Sequence, residues 1–366
     1  MGSVRMLNIL VIYDGKAGHL SQSQGLAQLI AKHHHSRCNL QILRAKPRLK
    51  LLNKALQFLA QYLPATIVLC LVRLYRTKVI GDAKHPAKIT APNLVISFGG
   101  NSIALNIAYR RYWRCRNIVI GNNYNVGKNS ISAHLTAFGS PARNAIATGI
   151  ALSKIDRENC NSAATVIKET NPHTRYWGVL IGGNGSGYEY QQSDWQALSH
   201  GLNELSQKYS IHWLICDSRR TPQGAIELLN TQLGSFTGVS FIGYNQPQRL
   251  SIEAVMGASE RLFCTEDSLS MLSEAVAMAK PVISLQPQTN SPRPVHARMI
   301  NHMVSTGLVE RQPISQLANY QINFFFPSVP YEHQTVAVYS HLSALGVLDN
   351  TVASPAANQL AYPSPQ

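Results

Sequence analysis

A regular alternation of buried strand, polar turn and short helix constrains the fold of this chain more than any other feature. The clearest unit has an apolar strand at 262–265, then a polar turn and a helix at about 268–279. The other predicted strands of the second half are 176–181, 211–216, 239–242 and 281–285, and the helices between them lie at about 193–208, 222–233 and 247–258. Such alternation is typical of a parallel sheet covered by helices, in which ligands bind at the carboxyl ends of the strands.

The first half of the chain shows the same alternation, with strands predicted at 7–13, 94–98, 117–121 and 135–138. A length of 366 residues is enough for two domains that each bury a core. The sequence therefore predicts an α/β protein with two Rossmann-like domains, an N-terminal one at 1–155 and a C-terminal one at 174–310. The polar stretch 153–173 is predicted to be a linker. We expect residues 311–350 to pack back on the domains, and the tail 351–366 to be disordered.

Charge is divided unevenly between the two halves. Residues 1–155 contain 21 Lys and Arg but only two carboxylates, Asp14 and Asp82, whereas residues 156–366 contain 12 basic and 16 acidic residues. The net charges of +19 and −4 indicate that the first half binds something anionic, such as phospholipid headgroups, an acidic acceptor or nucleic acid. No nucleic-acid recognition motif accompanies the charge, so we do not expect nucleic acid as a partner.

The basic segment 37–84 has an apolar centre at 63–72, which is too short to cross a bilayer that needs about 20 helical residues. A helix before it places Leu51, Leu52, Ala55, Leu56 and Leu59 at helical spacing, beside Lys50 and Lys54. This pattern suits either a helix on an anionic membrane surface or a core helix with a solvated basic side. Six scattered cysteines without a CxxC pair suit a reducing compartment. We therefore expect a cytoplasmic protein, peripheral on the inner face of the cytoplasmic membrane.

Three predicted strand ends of the second half carry groups that suit a nucleotide. Four glycines lie in the loop 182–187, two arginines in the loop 217–222, and hydroxyls in the turn and helix that follow the strand at 262–265. Asp267 or Ser268 can cap that helix, whose amino terminus suits an anion. Ser270 and Glu274 are four residues apart and share a face, so the Glu274 carboxylate can accept hydrogen bonds from a ribose diol. Each feature also has a purely structural interpretation, as a tight turn, a helix cap or a surface charge.

Four motifs in this order resemble the ELM ("elongated mitochondria") family of plant mitochondrial-fission factors and bacterial homologues. They are Asp-Gly-Lys-Ala-Gly-His at 14–19, Ile-Gly-Gly-Asn-Gly-Ser-Gly at 181–187, Ser-Arg-Arg-Thr-Pro at 218–222, and Thr-Glu-Asp-Ser-x-Ser-Met-x-Ser-Glu-Ala at 265–275. The match runs from about residue 7 to 310. The resemblance implies a GT-B glycosyltransferase-like fold, with two Rossmann-like domains facing each other across a cleft. Membrane-surface relatives of that fold include the lipid II-forming N-acetylglucosaminyltransferase and the Kdo transferases.

The resemblance also implies roles for individual residues. The nucleotide-sugar site would comprise Gly182, Gly183, Asn184, Gly185, Ser186, Arg219, Tyr244, Asp267, Ser268, Ser270, Met271 and Glu274. The acceptor side would comprise Lys16, Gly18, Gly99 and Gly100. His19 is the candidate general base, with Asp14 as its rival, while His19 as a helix cap is the structural alternative.

The resulting hypothesis is a nucleotide-sugar-dependent GT-B glycosyltransferase of the inverting type, which acts on an envelope or lipid-linked acceptor at the cytoplasmic membrane surface. The donor half contains no DxD motif, so we expect neither a metal nor a cofactor, and transition-state charge would be stabilised by helix amino termini and arginines. The alternative is a catalytically inactive GT-B-like scaffold at the membrane surface, related to mitochondrial fission factors. The sugar, the base of its nucleotide and the acceptor are not determined by the sequence.

Overall fold

A computed structural model of the chain describes residues 6–34, 37–48, 50–70, 75–80, 89–122, 126–234, 238–245, 250–322 and 330–348. The chain forms two compact units, Met1–Lys154 with Gln334–Gln366, and Ile155–His333. The predicted disordered tail 351–366 lies outside the described residues, as do residues 71 and 72 of the apolar centre.

The first unit contains a seven-stranded sheet of order β3-β2-β1-β4-β5-β6-β7. Its strands are β1 (Met6–Tyr13), β2 (Arg37–Pro47), β3 (Tyr75–Ile80), β4 (Leu94–Phe98), β5 (Arg116–Ile120), β6 (Ala133–Thr136) and β7 (Ala145–Ala147). Every neighbouring pair is parallel except β2 and β3, which are antiparallel. Strand order reverses between β1 and β4, and the crevice at such a point is where open α/β sheets bind ligands.

Helices cover both faces of this sheet, which explains why β1 is apolar along most of its length. The helices are α1 (Ala17–His33), α2 (Lys50–Tyr62), α3 (Ala65–Cys70) and α4 (Gly100–Trp113). Leu10 and Ile12 pack in one core with residues of α2 and α4, and Ile9 and Val11 pack in a second core with residues of α1. A strand that is buried on both faces of its sheet has a continuous apolar sequence.

The basic segment 37–84 was predicted to contain only a helix and an apolar stretch, and this prediction was incomplete. Strands β2 and β3 flank the predicted helix α2, whose Leu56 and Ala60 are buried while Ala55 is exposed. The side chains of Leu51 and Leu52 lie outside the described residues. Across the described ranges, no helix is both long and apolar enough to span a bilayer.

The second unit contains a six-stranded sheet of order β10-β9-β8-β11-β12-β13, in which all pairs are parallel. Its strands are β8 (Tyr176–Leu180), β9 (His212–Cys216), β10 (Val239–Ile242), β11 (Arg261–Thr265), β12 (Val282–Gln286) and β13 (Glu310–Pro313). Its helices are α5 (Arg157–Ala163), α6 (Thr165–Thr170), α7 (Gln192–Tyr209), α8 (Gln223–Leu233), α9 (Ile252–Ala258), α10 (Leu269–Ala277) and α11 (Pro294–Ser305). Trp177, Trp213 and Phe263 form the centre of its core, with each of their side chains fully buried.

The prediction of a linker at 153–173 was wrong, because this stretch forms α5 and α6. Asp156 caps α5 through a hydrogen bond from the Asn159 amide at 2.8 Å. Helix α5 packs so closely on α9 that a Cβ at Gly257 would lie 2.0 Å from the Cys160 carbonyl oxygen. Helix α12 (Tyr331–Ala344) contributes Val338 and Leu342 to the second core of the first unit.

Candidate functional site

The carboxyl end of β1 places two candidate catalytic side chains in contact. Asp14 directly follows the strand, Gly15 turns the chain at a φ of +92°, and His19 lies in the first turn of α1. The Asp14 side chain is 2% exposed, and its Oδ1 lies 2.9 Å from Nδ1 of His19. An ionised carboxylate can only accept a hydrogen bond, so Nδ1 carries the proton and the lone pair of the neutral ring is at Nε2.

The charge of Asp14 is stabilised by several donors. Its carboxylate also accepts hydrogen bonds from the Lys16 amide at 3.3 Å and from Asn101 Nδ2 at 3.0 Å, while Lys16 Nζ lies 3.8 Å away. Burial disfavours the charged form, but the hydrogen bonds from His19 and Asn101 and the positive charge that His19 carries when protonated outweigh it and hold the pKa of Asp14 below its usual range. Asp14 is therefore an ionised anchor for the imidazole.

The loop after β4 completes the surroundings of His19. The imidazole stacks on the ring of Phe98, with centroids 4.2 Å apart and planes 24° from parallel. Gly99 has a φ of +72°, and a Cβ there would lie 3.6 Å from Cε1 of His19. The predicted residue Gly99 is thus next to the imidazole, Gly100 begins α4 directly after it, and His19 retains a side-chain exposure of 22%.

A chain of hydrogen bonds fixes Asn101, which sequence reasoning did not identify as a site residue. Asn101 Oδ1 accepts from Asn53 Nδ2 at 3.3 Å, and Asn53 Oδ1 accepts from the Tyr75 hydroxyl at 2.7 Å. Because its oxygen is used in this way, the Asn101 amide group points its nitrogen at Asp14. Helix α2, which carries Asn53, is thereby connected to His19.

In the second unit, the loops after β8, β9 and β11 lie against one another. A Cβ at Gly182 would lie 2.3 Å from Oδ2 of Asp267, and one at Gly183, whose φ is +139°, would lie 2.1 Å from the Arg220 carbonyl oxygen. The Gly182 amide donates to the Thr265 hydroxyl at 2.7 Å. Close packing within the protein therefore accounts for these two glycines. The structure brings the predicted residues of all three loops to one edge of the sheet.

The arginine that faces the buried carboxylate is Arg220. Its Nη2 lies 2.7 Å from Oδ2 of Asp267, whose side chain is fully buried, whereas Arg219 is exposed. Burial raises the pKa of Asp267, and the charge of Arg220 acts in the opposite direction. Asp267 does not cap α10: the cap position is occupied by Ser268, which makes no side-chain capping hydrogen bond.

The first turns of α10 present the remaining predicted ligands. Ser270, Met271 and Glu274 are all partly exposed, and Ser270 and Glu274 share a face as expected. Ala275 and Met278 are buried, but Met271 is partly exposed.

Asn184, Ser186 and Tyr244 occupy loops at the same edge of this sheet. Asn184 Oδ1 accepts from the Tyr190 amide at 2.9 Å, and Ser186 has a left-handed φ of +55°. Tyr244 is 53% exposed, and its amide donates to the Asp217 carboxylate. A cavity of about 230 Å³, lined by Asp217 together with residues of α8 and the end of β10, opens beside this loop.

A second buried carboxylate, Glu266, anchors the turn before α10 and was missed by sequence reasoning. Its side chain accepts hydrogen bonds from Arg311 Nε at 2.6 Å, from the Ser284 hydroxyl at 2.9 Å and from the Tyr188 hydroxyl at 3.1 Å. Its backbone oxygen lies 2.7 Å from Nε2 of His296. Glu266 and Asp267, each with its own arginine, thus hold the start of α10 against the sheet.

Within the described ranges, no group of three or more His, Cys, Asp or Glu side chains is placed to hold a metal ion. The expectation that neither a metal nor a cofactor is needed stays a prediction, as do the roles assigned to individual site residues.

Solved structures that are similar to this chain in fold include two UDP-GlcNAc 2-epimerases. A UDP-GlcNAc 2-epimerase from Neisseria meningitidis, bound to UDP-GlcNAc, aligns with 92% of this chain and 100% of its own, at 15% identity and a TM-score of 0.51. A UDP-GlcNAc 2-epimerase from Methanocaldococcus jannaschii aligns with 93% of this chain and 100% of its own, at 11% identity and a TM-score of 0.50. The ADP-heptose lipopolysaccharide heptosyltransferase II of E. coli aligns with 93% and 98% of the two chains, at 11% identity and a TM-score of 0.43. The fold is that of GT-B proteins.

Sequence relationships are more specific than the fold. An uncharacterized protein of Rickettsia prowazekii (strain Madrid E), RP120, is 26% identical over 168 residues, which are 44% of this chain and 44% of that protein. This match thus spans less than half of the relative's length. The family described as mitochondrial fission ELM1 matches residues 17–324, which include three of the four motifs completely and the end of the first. This chain therefore belongs to the mitochondrial fission ELM1 family.

Proposed function

We propose that this protein is a metal-independent glycosyltransferase, which transfers a sugar from a nucleotide donor to an acceptor at the cytoplasmic membrane surface. The observation that carries the proposal is the contact of His19 Nδ1 with the buried carboxylate of Asp14 at 2.9 Å. This contact directs the basic Nε2 away from the carboxylate, on a side chain that remains partly exposed. It is the arrangement that a general base needs.

In the proposed reaction, His19 Nε2 accepts the proton of an acceptor hydroxyl. The hydroxyl oxygen forms a bond to the anomeric carbon of the sugar as the bond from that carbon to the diphosphate oxygen breaks. The nucleoside diphosphate leaves with the electron pair, and His19 becomes an imidazolium that Asp14 stabilises. Asp14 is thus assigned an orienting role, and His19 the role of base.

The second unit is assigned the donor. Glu274 lies one turn into α10, where its carboxylate suits the ribose hydroxyls, and Ser268 and Ser270 lie at the helix start, where a diphosphate would be stabilised by unpaired amides. Arg219 is exposed at the neighbouring loop and supplies a charge for the leaving diphosphate. The cavity beside Tyr244 is a candidate site for the base.

The exposed faces of α2 and α3 support the membrane-surface part of the proposal. Phe58 is 61% exposed and Tyr62 67%, with their ring centroids 4.9 Å apart, and Ile67 on α3 is 48% exposed. The opposite side of α2 is buried, so this helix packs on one side and exposes the two aromatic rings on the other. Aromatic side chains with neighbouring basic residues are typical of elements that lie in the interface of an anionic leaflet.

The same surface would also suit the alternative function, a scaffold at the membrane that has lost catalysis. A turnover assay distinguishes a glycosyltransferase from an inactive scaffold. The purified protein is incubated with UDP-, GDP-, ADP- and CMP-linked sugars and a lipid extract, and release of the free nucleotide is measured. We expect release with one donor class, and its loss in His19→Gln. Vesicle binding without release from any donor would support the scaffold, and a sugar altered on its nucleotide without acceptor would indicate an epimerase.

A further inference from the structure

Four exposed basic side chains form a compact group on one face of β2 and β3. The antiparallel register pairs Arg44 with Lys78 and Lys46 with Arg76, and all four are exposed. Directly opposed residues, and residues two apart along a strand, project from the same face of a sheet. Leu43 and Ala45, which alternate with Arg44 and Lys46 along β2, are buried in the core on the opposite face. We call these four residues the cationic block.

The cationic block places like charges directly opposite one another, which destabilises a strand pair. The chain contains no Asp or Glu between Asp14 and Asp82, and no carboxylate of the described residues forms an ion pair with any of the four. Lysine on an edge strand protects it from pairing with another chain. That protection explains charges on β3, which is the edge, but it does not explain the opposing pair on β2. An external anion would offset this repulsion.

The position of the cationic block connects it with the candidate base. Strand β2 is parallel to β1, and its register pairs Arg44 with Tyr13, the residue before Asp14. The Arg44 guanidinium lies against the following turn, since a Cβ at Gly15 would be 3.0 Å from its Nε. The block is therefore at the carboxyl edge of the sheet, beside the loop that carries Asp14 and His19.

We infer that the cationic block binds the diphosphate group of a phosphorylated acceptor, and that this contact brings the acceptor to His19. Neighbouring Cβ atoms of such a block are about 5 Å apart across the strands and about 7 Å apart along them. This spacing lets four long side chains converge on a single multivalent anion, and arginine binds phosphate oxygens in a two-point contact. The inference rests on the proposed function where it identifies the anion as part of the acceptor.

The test is calorimetric titration of the full chain with farnesyl diphosphate and with inorganic pyrophosphate. We expect both to bind, and binding to weaken about tenfold in the double variants Arg44→Gln/Lys46→Gln and Arg76→Gln/Lys78→Gln. The matched control is Lys32→Gln/Arg116→Gln, which removes the same charge from exposed positions at the other edge of the sheet and should change affinity less than twofold. Thermal unfolding of the block variants should occur at an unchanged or higher temperature, because repulsion is removed. A lower unfolding temperature would indicate a structural role and overturn the inference.

Further titrations distinguish a diphosphate ligand from other phosphate-bearing molecules. Vesicles of phosphatidylcholine with phosphatidylglycerol, and a single-stranded oligonucleotide, are titrated under the same conditions. Binding to vesicles or to the oligonucleotide without binding to the two diphosphates would overturn the inference. An equal loss of diphosphate affinity in the control variant and in the block variants would also overturn it. Nucleotide-sugar binding is measured in parallel with Glu274→Ala. If the diphosphates bind at the block but no nucleotide sugar binds, the anion site is supported and the proposed function fails. If a nucleotide sugar binds but the block variants bind the diphosphates as the parent does, the proposed function is supported and the anion site fails.

Discussion

The imidazole of His19 is held by the carboxylate of Asp14, with Nδ1 and Oδ1 2.9 Å apart. Asp14 is in turn fixed by Asn101, so the orientation of the ring is determined by side chains from two strand ends. A base with this support is already oriented before substrate binds.

Replacement of His19 by glutamine should lower transfer by about 10²- to 10⁴-fold, the usual contribution of a general base. Donor affinity should be unchanged, because the donor is assigned to the other unit. Steady-state rates and donor titrations measure the two effects. His200→Gln, on an exposed position of α7, is the matched control and should behave like the parent. A loss of donor affinity equal to the loss of rate would contradict the assignment.

Acid stability should depend on Asp14. Its folded-state pKa is depressed, so its contribution to stability is present above the unfolded value of about 3.9 and is lost as the pH falls through the folded value. As the pH falls below about 4, Asp14→Asn should therefore lose less unfolding free energy than the parent does. Urea unfolding at a series of pH values measures this. In the control variant Glu158→Gln, which changes an exposed residue, the unfolding free energy should depend on pH as it does in the parent.

Arg220 should matter for stability and Arg219 should not. Arg220→Met leaves the buried Asp267 carboxylate without its counter-ion, which should cost about 3 kcal/mol of unfolding free energy. The double variant Arg220→Met/Asp267→Asn should recover most of that loss, because the uncompensated charge is removed. Arg219→Met is the control, with an expected change within about 0.5 kcal/mol. If the single and double Arg220 variants were equally unstable, the ion pair would not be the cause.

The aromatic face of α2 should control membrane binding. Phe58→Ser/Tyr62→Ser should reduce co-sedimentation with anionic vesicles several-fold, because both rings are exposed and supply apolar area to the interface. The unfolding temperature should change little. Val166→Ser, which removes an exposed apolar side chain from α6, is the control. Unchanged sedimentation of the α2 variant would remove the support that this surface gives to the membrane proposal.

Sequence reasoning located the strands of the second unit to within about two residues, except β13, because their apolar runs are unbroken between polar turns. It missed β2, where exposed Arg44 and Lys46 alternate with buried Leu43 and Ala45; the two-residue period was visible, but the charge dominated the interpretation. The helices at 157–170 were missed because Cys160 and Ile167 are among the few apolar side chains that they bury.

The positions of Asp14 at the end of β1 and of Glu274 in α10 were predictable, because each belongs to a local strand, turn and helix pattern. Its supporting contacts were not, because they join distant parts of the chain. Asn101 reaches Asp14 across 87 positions, and Arg311 reaches Glu266 across 45. No local pattern signals such partners. The ion pair of Arg220 with Asp267 was missed for the same reason, since only packing shows which of two adjacent arginines faces the carboxylate.

The proposed donor site at the start of α10 can be tested by thermal stabilisation of the protein with UDP-, GDP-, ADP- and CMP-linked sugars. One class should raise the unfolding temperature of the parent. The shift should be lost in Glu274→Ala, and retained in Glu169→Ala, which changes an exposed glutamate of α6. Absence of a shift with every donor, or an equal shift in parent and Glu274→Ala, would contradict a donor site at this helix.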